Sequence, residues 1–442
     1  MPRRTTLALC FAAAVGSASL SAQTPTAPAI PDTPAGRVLR AWLDAFNSAD
    51  SARVDAYARQ FEPDLAVPVA LMIRDQSGGF DLLTIERSEP RHVEFTLKER
   101  NGPRTAYGML EVSAAQPFRV TARHVQPLGP NVSVAALRID AATRARVIDS
   151  AIARLDEHYV FPDVAKRMAD SLRARLARGA YDAYGNGMSF AMKLNDELRE
   201  LGRDKHLRVN YSVRPLPPEP ASRRDPSPED RERYRQRMEE INCGFVKAER
   251  LEGNVGYLKF NMFADPEVCG PTAAAAMNFL AGTRALIIDL RDNGGGSPHM
   301  VAYVSSYLFS QRTHLNDLWT RKTGATEEFW TRDTVPGRRF GGEKPVYVLT
   351  SARTFSGAEE FAYNLKTLKR ATIVGETTGG GAHPVSGHRI DEHFMIGVPF
   401  ARAVNPVTRT NWEGVGGEPD VKVPASEALA TAQKLLREKT RP

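Results

Sequence analysis

Long apolar segments and dense basic runs are both missing from this chain of 442 residues. The longest apolar run, Leu7 to Val15, is about half of the roughly 20 residues that a membrane-spanning helix needs. We therefore expect no membrane span. The formal net charge of +7 is spread over many positions, so the chain lacks the clustered basic footprint of a nucleic-acid-binding protein.

The N-terminal segment has the pattern of a secretory signal. Arg3 and Arg4 precede the apolar run, and small residues follow it up to Ala22. This order of charge, apolar run and small residues is typical of a peptide that is removed after export. We predict a signal at residues 1–22, cleaved after Ala22, and a Pro/Thr/Ala linker at 23–34. The mature protein is then expected to be periplasmic or secreted.

Cysteine is scarce, with three residues in the whole chain. Cys10 leaves with the predicted signal, and Cys243 and Cys269 lie on either side of one predicted strand. Because oxidising compartments favour disulfides, we predict that this pair is bonded. The alternative is two buried thiols, since the sequence does not fix the distance between their Cα atoms.

Periodicity and composition divide the remaining chain into segments. A helical pattern followed by strand-like runs, the first at Val67 to Ile73, predicts an α+β accessory domain. Apolar residues at helical spacing then predict a helical bundle, and alternating strands and helices predict a mostly parallel sheet with covering helices. The predicted boundaries are 35–130 for the accessory domain, 141–212 for the helical domain, 213–241 for a charged Pro-rich linker or insertion, 242–430 for the α/β core and 431–442 for a C-terminal tail.

A strand, a sharp turn and a helix follow one another between Val346 and Gly381. Ser356 lies in the turn, where the unpaired amides of the first helical turn face any oxygen that becomes negative. Two interpretations are open. Ser356 can be a nucleophile, or it can cap the helix in a capping box with Glu359 as the second member.

Three glycines, Gly294-Gly295-Gly296, follow the buried strand that ends at Leu290. Glycine lets the backbone approach a ligand closely and turn its amides toward it. A phosphate loop is the alternative, but the Gly-Lys-Ser/Thr continuation is missing. We predict an oxyanion site with one N–H from Gly294 or Gly295 and the second from Gly357.

Several strings carry a resemblance to a known family. They are DKHLRVNY, NCGF with GNVGYLKF, LIIDLRDNGGG, TSARTFSGAEEFAYNL, VGETTGGGAHP and NWEGVGGEPDVKV. Together they resemble the tail-specific, or C-terminal processing, serine peptidases, in the branch similar to the interphotoreceptor retinoid-binding protein modules and the tricorn protease core. The resemblance covers about residues 141–430 and implies a crotonase-like ββα-spiral catalytic core. Separately, the string AWLDAFNSAD in the accessory domain resembles the opening helix of nuclear-transport-factor-like cone domains.

The resemblance implies one of two catalytic arrangements. The processing branch has a Ser/Lys dyad with lysine in the glycine-rich strand end. Here that place is Gly379-Gly380-Gly381, which contains no lysine, so a Ser/Lys mechanism is not expected. The tricorn-like branch has a histidine before the core and a glutamate near its end, which match His206 and Glu413. A serine hydroxyl needs a base whose pKa lies near the working pH, and a carboxylate can orient that imidazole. We therefore expect Ser356 as nucleophile, His206 as general base and Glu413 as the orienting carboxylate.

Other candidate bases exist. Lys366 and Lys369 follow the serine, but they lie roughly 15 Å along its helix at about 1.5 Å per residue. Among the other histidines, His383 follows the glycine run and is the strongest rival. The rival histidines are His299, His383, His388 and His393.

These residues predict an exported serine peptidase that cleaves peptides or unfolded proteins through an acyl-enzyme on Ser356, with no metal and no organic cofactor. The alternative is a non-catalytic binding module for apolar ligands, as the retinoid-binding relatives suggest. A pure binder, however, has no reason to need the serine, histidine and glutamate together. No PDZ-like insertion is found, so substrate selection must differ from that of the processing branch. Peptide specificity, assembly into a homo-oligomer and the role of the accessory domain stay open.

Overall fold

The computed structural model describes residues 28–63, 65, 67–129, 132, 134–218 and 227–439. The predicted signal and residues 23–27 of the predicted linker lie outside the described residues, as does the middle of the charged insertion. The chain divides into two compact units between Val134 and Ala135. In the described part, no helix has both the length and the apolar character needed to cross a membrane.

The first unit has three helices and a four-stranded antiparallel sheet. Thr33 caps the first helix by accepting the Gly36 N–H at 3.0 Å. Trp42 and Phe46 lie one turn apart on its buried face and pack against Phe80. The elements are α1 (Pro34–Asn47), α2 (Ser51–Phe61), α3 (Val67–Ser77), β1 (Phe80–Glu89), β2 (His92–Glu99), β3 (Thr105–Val112) and β4 (Val120–Pro127), and the sheet order is β1-β2-β3-β4.

The prediction of a strand at Val67 to Ile73 is wrong, because this run forms most of α3. A short continuous apolar run has no periodicity that separates a strand from a helix, so the sequence alone could not decide. Ala70 is buried, whereas Val69, Met72 and Ile73 remain exposed.

The second unit opens with helices. Their buried faces form one core with Leu207, with Val209 of the following strand, and with Ile396 and Val398 from much later in the chain. The predicted helical segment therefore shares a core with the α/β part of the chain. The elements are α4 (Ala141–His158), α5 (Pro162–Ala177), α6 (Gly187–Gly202), β5 (Arg208–Tyr211) and α7 (Pro228–Glu240).

The remaining elements build the α/β core. They are β6 (Phe245–Leu251), β7 (Val255–Phe260), α8 (Pro266–Leu280), β8 (Ala285–Asp289), α9 (Pro298–Ser305), β9 (His314–Thr320), β10 (Thr326–Trp330), β11 (Val346–Thr350), α10 (Gly357–Thr367), β12 (Thr372–Gly375), β13 (Val385–Arg389), β14 (Phe394–Pro399), β15 (Ala401–Val404), β16 (Val421–Lys422) and α11 (Ala428–Lys439). The described strands form a six-stranded sheet of order β16-β12-β11-β8-β7-β6 and two three-stranded sheets, β13-β14-β5 and β10-β9-β15.

The six-stranded sheet is parallel except at β6, which pairs antiparallel with β7. Alternate residues of β8 point to opposite faces, so Leu286 and Ile288 join the core beneath α8, α9 and α10, whereas Ile287 packs toward α11. The predicted α/β class, with a mostly parallel sheet and covering helices, is confirmed. Most of the predicted C-terminal tail belongs to α11, where Ala432 and Leu436 are buried.

Cys243 and Cys269 are bonded, with their Cα atoms 5.6 Å apart. The bond joins the turn before β6 to α8, and both cysteines are buried in the core on one face of the sheet.

Reduction of this disulfide is expected to lower the free energy of unfolding by about 3 kcal/mol, because the bond reduces the conformational entropy of the unfolded chain across a loop of this size. The sequence separation of the two cysteines is 26. Urea unfolding with and without reductant measures the change. The double variant Cys243→Ala/Cys269→Ala is the control, since its midpoint must not respond to reductant. An unchanged midpoint for the natural chain would contradict the prediction.

Candidate active site

Ser356 lies at the carboxyl edge of the sheet, in the turn between β11 and α10. The parallel neighbours β8 and β11 are in register, with Asp289 opposite Leu349, so the segments that leave these two strands emerge at the same edge. Two hydrogen bonds join these segments, from the Thr354 hydroxyl to the Leu290 carbonyl at 2.8 Å and from the Phe355 N–H to the Asn293 carbonyl at 3.1 Å. Parallel pairing therefore places Ser356 against the glycine run.

Ser356 has a backbone conformation that a residue with a side chain rarely adopts, with φ 53° and ψ −122°. Such strain costs on the order of 1–3 kcal/mol and is retained where the surroundings impose it, often at active sites. Its N–H donates to the Glu359 carboxylate at 2.8 Å. The part of the predicted capping box in which Glu359 reaches back is therefore present, and it fixes the turn that carries the serine.

The glycine run after β8 touches this turn directly. A Cβ on Gly295 would lie 2.6 Å from the Gly357 nitrogen and 2.8 Å from the Ser356 Cβ. A Cβ on Gly357 would lie 3.1 Å from the Gly296 nitrogen. The serine turn and the glycine run are thus in contact only because Gly295 and Gly357 lack side chains.

The three N–H groups of the glycine run differ in whether they have a hydrogen-bond acceptor. Gly294 donates to the Asn261 carbonyl at 3.2 Å, and Gly295 donates to the Asn293 side chain at 2.9 Å. The N–H groups of Gly296 and Gly357 find no acceptor within the described part of the chain. The sequence-based choice of Gly294 or Gly295 missed this difference, because tertiary contacts with Asn261 and Asn293 decide which amides stay free.

Glu359 joins the serine turn to the loop that follows β12. Besides the Ser356 N–H, its carboxylate accepts the N–H of Gly380 at 2.6 Å, the N–H of Gly381 at 2.8 Å and the Thr378 hydroxyl. Burial raises the pKa of this carboxyl, and the four donors oppose the rise. Glu359 therefore positions both walls of the site, a role the sequence suggested only as a helix cap.

His206 lies in the turn between α6 and β5, two residues before the strand begins. Its ring centroid lies 4.7 Å from that of Phe355, the residue before the serine. A Cβ on Gly381 would come within 2.7 Å of the His206 Cε1. The structure thus brings His206 beside the serine turn and the loop held by Glu359, and its Nδ1 is buried without a hydrogen-bond partner in the described part of the chain.

The electrostatic surroundings of His206 favour its neutral form. Burial lowers the pKa of the imidazole from its usual value of 6.5, and the neighbouring His383 lowers it further, whereas the carboxylate of Asp204 opposes the shift. Asp204 also accepts the His206 backbone N–H at 3.0 Å. A neutral imidazole is the form that can accept a proton.

Glu413 lies close to His206 but does not hydrogen-bond to it. One side-chain atom each of Asp204, His206 and Glu413 lie within 4.8 Å of one another. One Glu413 oxygen accepts the Ala382 N–H at 2.5 Å, and the other oxygen, Oε1, is buried without a partner in the described chain. Burial, followed by the negative charge of Asp204, raises the pKa of Glu413, and His383 lowers it.

The strongest rival base, His383, enters the same cluster. Its Nδ1 lies 2.7 Å from Asp204 Oδ2 and 3.4 Å from Glu413 Oε2. Asp204 therefore contacts both histidines, which the sequence could have suggested only through its position two residues before His206. In the described residues, the Asp204–His206–Glu413 group is also where three metal-ligating side chains converge, but both Asp204 oxygens already accept hydrogen bonds. We interpret the group as a site of proton transfer.

The other rival bases have different partners. His299 lies 3.9 Å from Glu327, His388 stacks on His158, and His393 contacts the Ser212 carbonyl. The Lys366 ammonium donates to the Glu418 carbonyl at 2.6 Å. Lys369 follows the last turn of α10, at the far end of the helix from the serine. None of the described contacts brings these five side chains to Ser356.

Two family models match the chain. Residues 254–423 match Peptidase family S41, and residues 129–243 match the N-terminal domain of Peptidase_S41 in eukaryotic IRBP. These matches and the mixed α/β fold confirm the resemblance to the C-terminal processing peptidases that the sequence strings carry.

The curated relative carboxyl-terminal-processing peptidase 2, chloroplastic, from Arabidopsis thaliana is 27% identical over 183 residues, which cover 39% of this chain and 32% of the relative. The match thus spans about a third of the relative's length. Similar solved structures include a lipoprotein from Streptococcus agalactiae, with 15% identity, a TM-score of 0.44 and coverage of 70% of this chain and 99% of that one. A putative peptidase from Parabacteroides merdae has 17% identity, a TM-score of 0.46 and coverage of 66% and 96%.

Replacing Glu359 with glutamine is expected to lower both stability and turnover. The amide keeps the shape but turns one acceptor into a donor, and each buried N–H left unsatisfied costs about 1–3 kcal/mol. The Gly380–Gly381 loop and the Ser356 turn should lose their fixed geometry. Urea unfolding and peptide hydrolysis measure the two effects.

The matched control is Glu360→Gln on the same helical turn. Burial raises the pKa of Glu360 to about 8, so its carboxyl is mostly protonated at neutral pH and an amide is a close substitute. We expect Glu360→Gln to leave activity unchanged. Equal losses in the two variants would show that any change on this turn is harmful, and the positioning role of Glu359 would be rejected.

Proposed function

We propose that this protein is a serine peptidase that hydrolyses peptide bonds through an acyl-enzyme on Ser356. The observation that carries the proposal is the turn at the start of α10, which holds Ser356 at positive φ and contacts the His206 ring through Phe355. In the described part of the chain, two glycine N–H groups at this turn have no acceptor. The substrate is a peptide or an unfolded protein segment. The match of residues 254–423 to Peptidase family S41 and the similarity to the Arabidopsis carboxyl-terminal-processing peptidase support the same reaction.

In the first step the Ser356 hydroxyl oxygen attacks the carbonyl carbon of the scissile bond while its proton passes to neutral His206. The negative charge that develops on the carbonyl oxygen is then stabilised by the N–H groups of Gly296 and Gly357. We assign Gly296, in place of Gly294 or Gly295, because its N–H has no acceptor in the described part of the chain and can bind the oxyanion. Preorganised donors of this kind contribute on the order of 3–4 kcal/mol each to transition-state stabilisation.

His206 returns the proton to the leaving amine as the C–N bond breaks, and a water molecule then hydrolyses the ester on Ser356 by the reverse sequence of proton transfers. During both steps the imidazolium needs a nearby negative charge. His206 Nδ1 and Glu413 Oε1 have no hydrogen-bond partner among the described residues, and they are complementary, one as donor and the other as acceptor. We assign Glu413 to orient and stabilise the ring through this pair, directly or through one water, with Asp204 and His383 holding the cluster.

We also propose that the protein is exported. The charged, apolar and small-residue pattern at its N-terminus and the disulfide between Cys243 and Cys269 both fit an oxidising compartment. Mass spectrometry of the mature N-terminus from a secreting host tests this proposal. A chain that retains Met1 or Pro2 inside the cell would contradict it.

Ser356→Ala is expected to lower kcat/KM for peptide hydrolysis by at least about 10⁴-fold, because no other group can form the acyl-enzyme. A fluorophosphonate probe should label the natural chain on the peptide that contains Ser356, and the variant should remain unlabelled. His206→Ala should lose a similar factor, and the double variant should lose little more, because members of one catalytic unit are not additive.

Lys366→Ala and His393→Ala are the matched controls, since both side chains have partners outside the site. Both should retain activity. Labelling of a different serine would overturn the nucleophile assignment. If His383→Ala is inactive while His206→Ala remains active, the base is misassigned although the peptidase proposal stands.

The acidic limb of the pH profile is expected below pH 6.5. Burial lowers the pKa of His206, so the neutral, proton-accepting form is populated at a lower pH than for an exposed histidine, and activity rises as pH increases through this lowered value. Measuring kcat/KM between about pH 4 and 9 tests the shift. A limb well above pH 6.5 would point to a lysine base and contradict the assignment.

A further inference from the structure

The first unit contains a cavity that the proposed peptidase chemistry does not use. Its volume is about 400 Å³, within the range of about 300–1,000 Å³ that small-molecule sites occupy. The walls come from α1, α3 and all four strands of the first unit's sheet, so a single unit forms the cavity. The lining includes Trp42, Phe46, Ile73, Phe80, Ala106 and Val125.

Three aromatic rings that pack against one another form part of the cavity wall. Phe46 stacks on Phe80 with ring centroids 5.1 Å apart, and Trp42 packs against Phe80 at 6.3 Å. Protein interiors contain few voids larger than a water molecule, because empty space forfeits dispersion contacts. The cavity is open at one side, and an apolar ligand seated in it would regain the dispersion contacts that the packed rings lack on this face.

The charged residues at the cavity are already neutralised. The Arg123 guanidinium binds Glu62 through two hydrogen bonds of 2.9 and 3.1 Å and lies 5.0 Å over the Trp42 ring. Arg104 binds Glu99 at 2.9 Å. Since both cations have a carboxylate partner, the described lining residues provide no free charge to recognise an ionised group. The chemistry favours an uncharged ligand.

The apolar side chains that α3 exposes to solvent lie at the mouth of the cavity. Val69 and Ile73 line the cavity, yet they are 49% and 41% exposed. An apolar molecule seated in the cavity would cover both side chains and remove their apolar surface from water.

We propose that the first unit binds a small, uncharged, mainly apolar molecule, with an aromatic or branched aliphatic body, in the cavity between α3, α1 and the sheet. Gln76 lines the same cavity and offers an amide to one polar substituent. This site differs from a binding function of the family S41 region, and it does not depend on the proposed reaction at Ser356.

The test uses the full chain carrying Ser356→Ala, which prevents self-cleavage. N-phenyl-1-naphthylamine, an uncharged apolar fluorophore, is titrated into the protein while its emission is followed. We expect saturable enhancement at one probe per chain, with energy transfer from Trp42 that decreases in Trp42→Phe. The negatively charged 1-anilinonaphthalene-8-sulfonate should bind at least about ten-fold more weakly, because no unpaired cation meets its sulfonate.

Two arginine substitutions separate the cavity from the rest of the surface. Ile73→Arg places a charge at the mouth and should weaken probe binding by at least about ten-fold. Leu83→Arg is the matched control, because Leu83 is a 42% exposed apolar residue of the same unit outside the cavity lining, and it should bind the probe normally. Ala106→Phe, which fills the cavity from within, should also lose binding, and circular dichroism and thermal unfolding show whether each variant is folded.

Three results would overturn the proposal. They are the absence of saturable probe binding to the folded chain, equal losses in Ile73→Arg and Leu83→Arg, and tighter binding of the sulfonate than of the uncharged probe. Light scattering adds a fourth, namely a dimer that Ile73→Arg abolishes in a chain that binds no probe, because the exposed face of α3 would then be an interface between copies.

Discussion

The site depends on one buried carboxylate. Glu359 accepts the N–H of Ser356 on its own helical turn and the N–H groups of Gly380 and Gly381 from the loop after β12. The positive φ of Ser356 is maintained against its conformational cost because this acceptor holds the N–H in place. The helix, the strained turn and the opposite loop are therefore fixed by the same group, and burial makes each of its hydrogen bonds costly to lose.

The other half of the site arrives from a distant part of the chain. β5, which directly follows the His206 turn, pairs with β14, so that Val209 lies opposite Ile396 and Arg208 opposite Gly397. The Lys205 ammonium also donates to the Gly379 carbonyl. Together these contacts bring His206 to the loop that Glu359 holds. Because this segment and the α/β part share a core and a small sheet, the position of the histidine is as fixed as that of the sheet itself.

Charge balance explains why two histidines and two carboxylates gather behind the serine. Asp204 and Glu413 are both largely buried, and the negative charge of Asp204 adds to the effect of burial in raising the pKa of Glu413. His383 lies within 3.4 Å of both carboxylates and opposes the rise in the pKa of Glu413. Within the described chain, His206 Nδ1 has no hydrogen-bond partner, and burial lowers the pKa of the ring. Such an imidazole can first accept a proton and then be stabilised by a carboxylate.

The sequence by itself determined the α/β class of the core, the family and the residue types that can carry acyl transfer. Strand and helix periodicities of the core are local signals, and the strings around Asp289 and Ser356 are specific. The run at Val67 to Ile73 was assigned wrongly, because a short apolar run fits a strand and a helix equally well and only packing separates them.

Only the tertiary structure decided which groups meet. Gly294 donates to Asn261 and Gly295 donates to Asn293, so that in the described chain Gly296 is the residue of this run whose N–H has no acceptor. The pairing of β5 with β14 brings His206, Asp204 and His383 together, although they are far apart in the sequence. These contacts link residues far apart in the chain, and their geometry follows from how strands align and loops close. Such long-range alignment leaves no periodic trace in a single sequence, and that is the physical reason that it could not be read there.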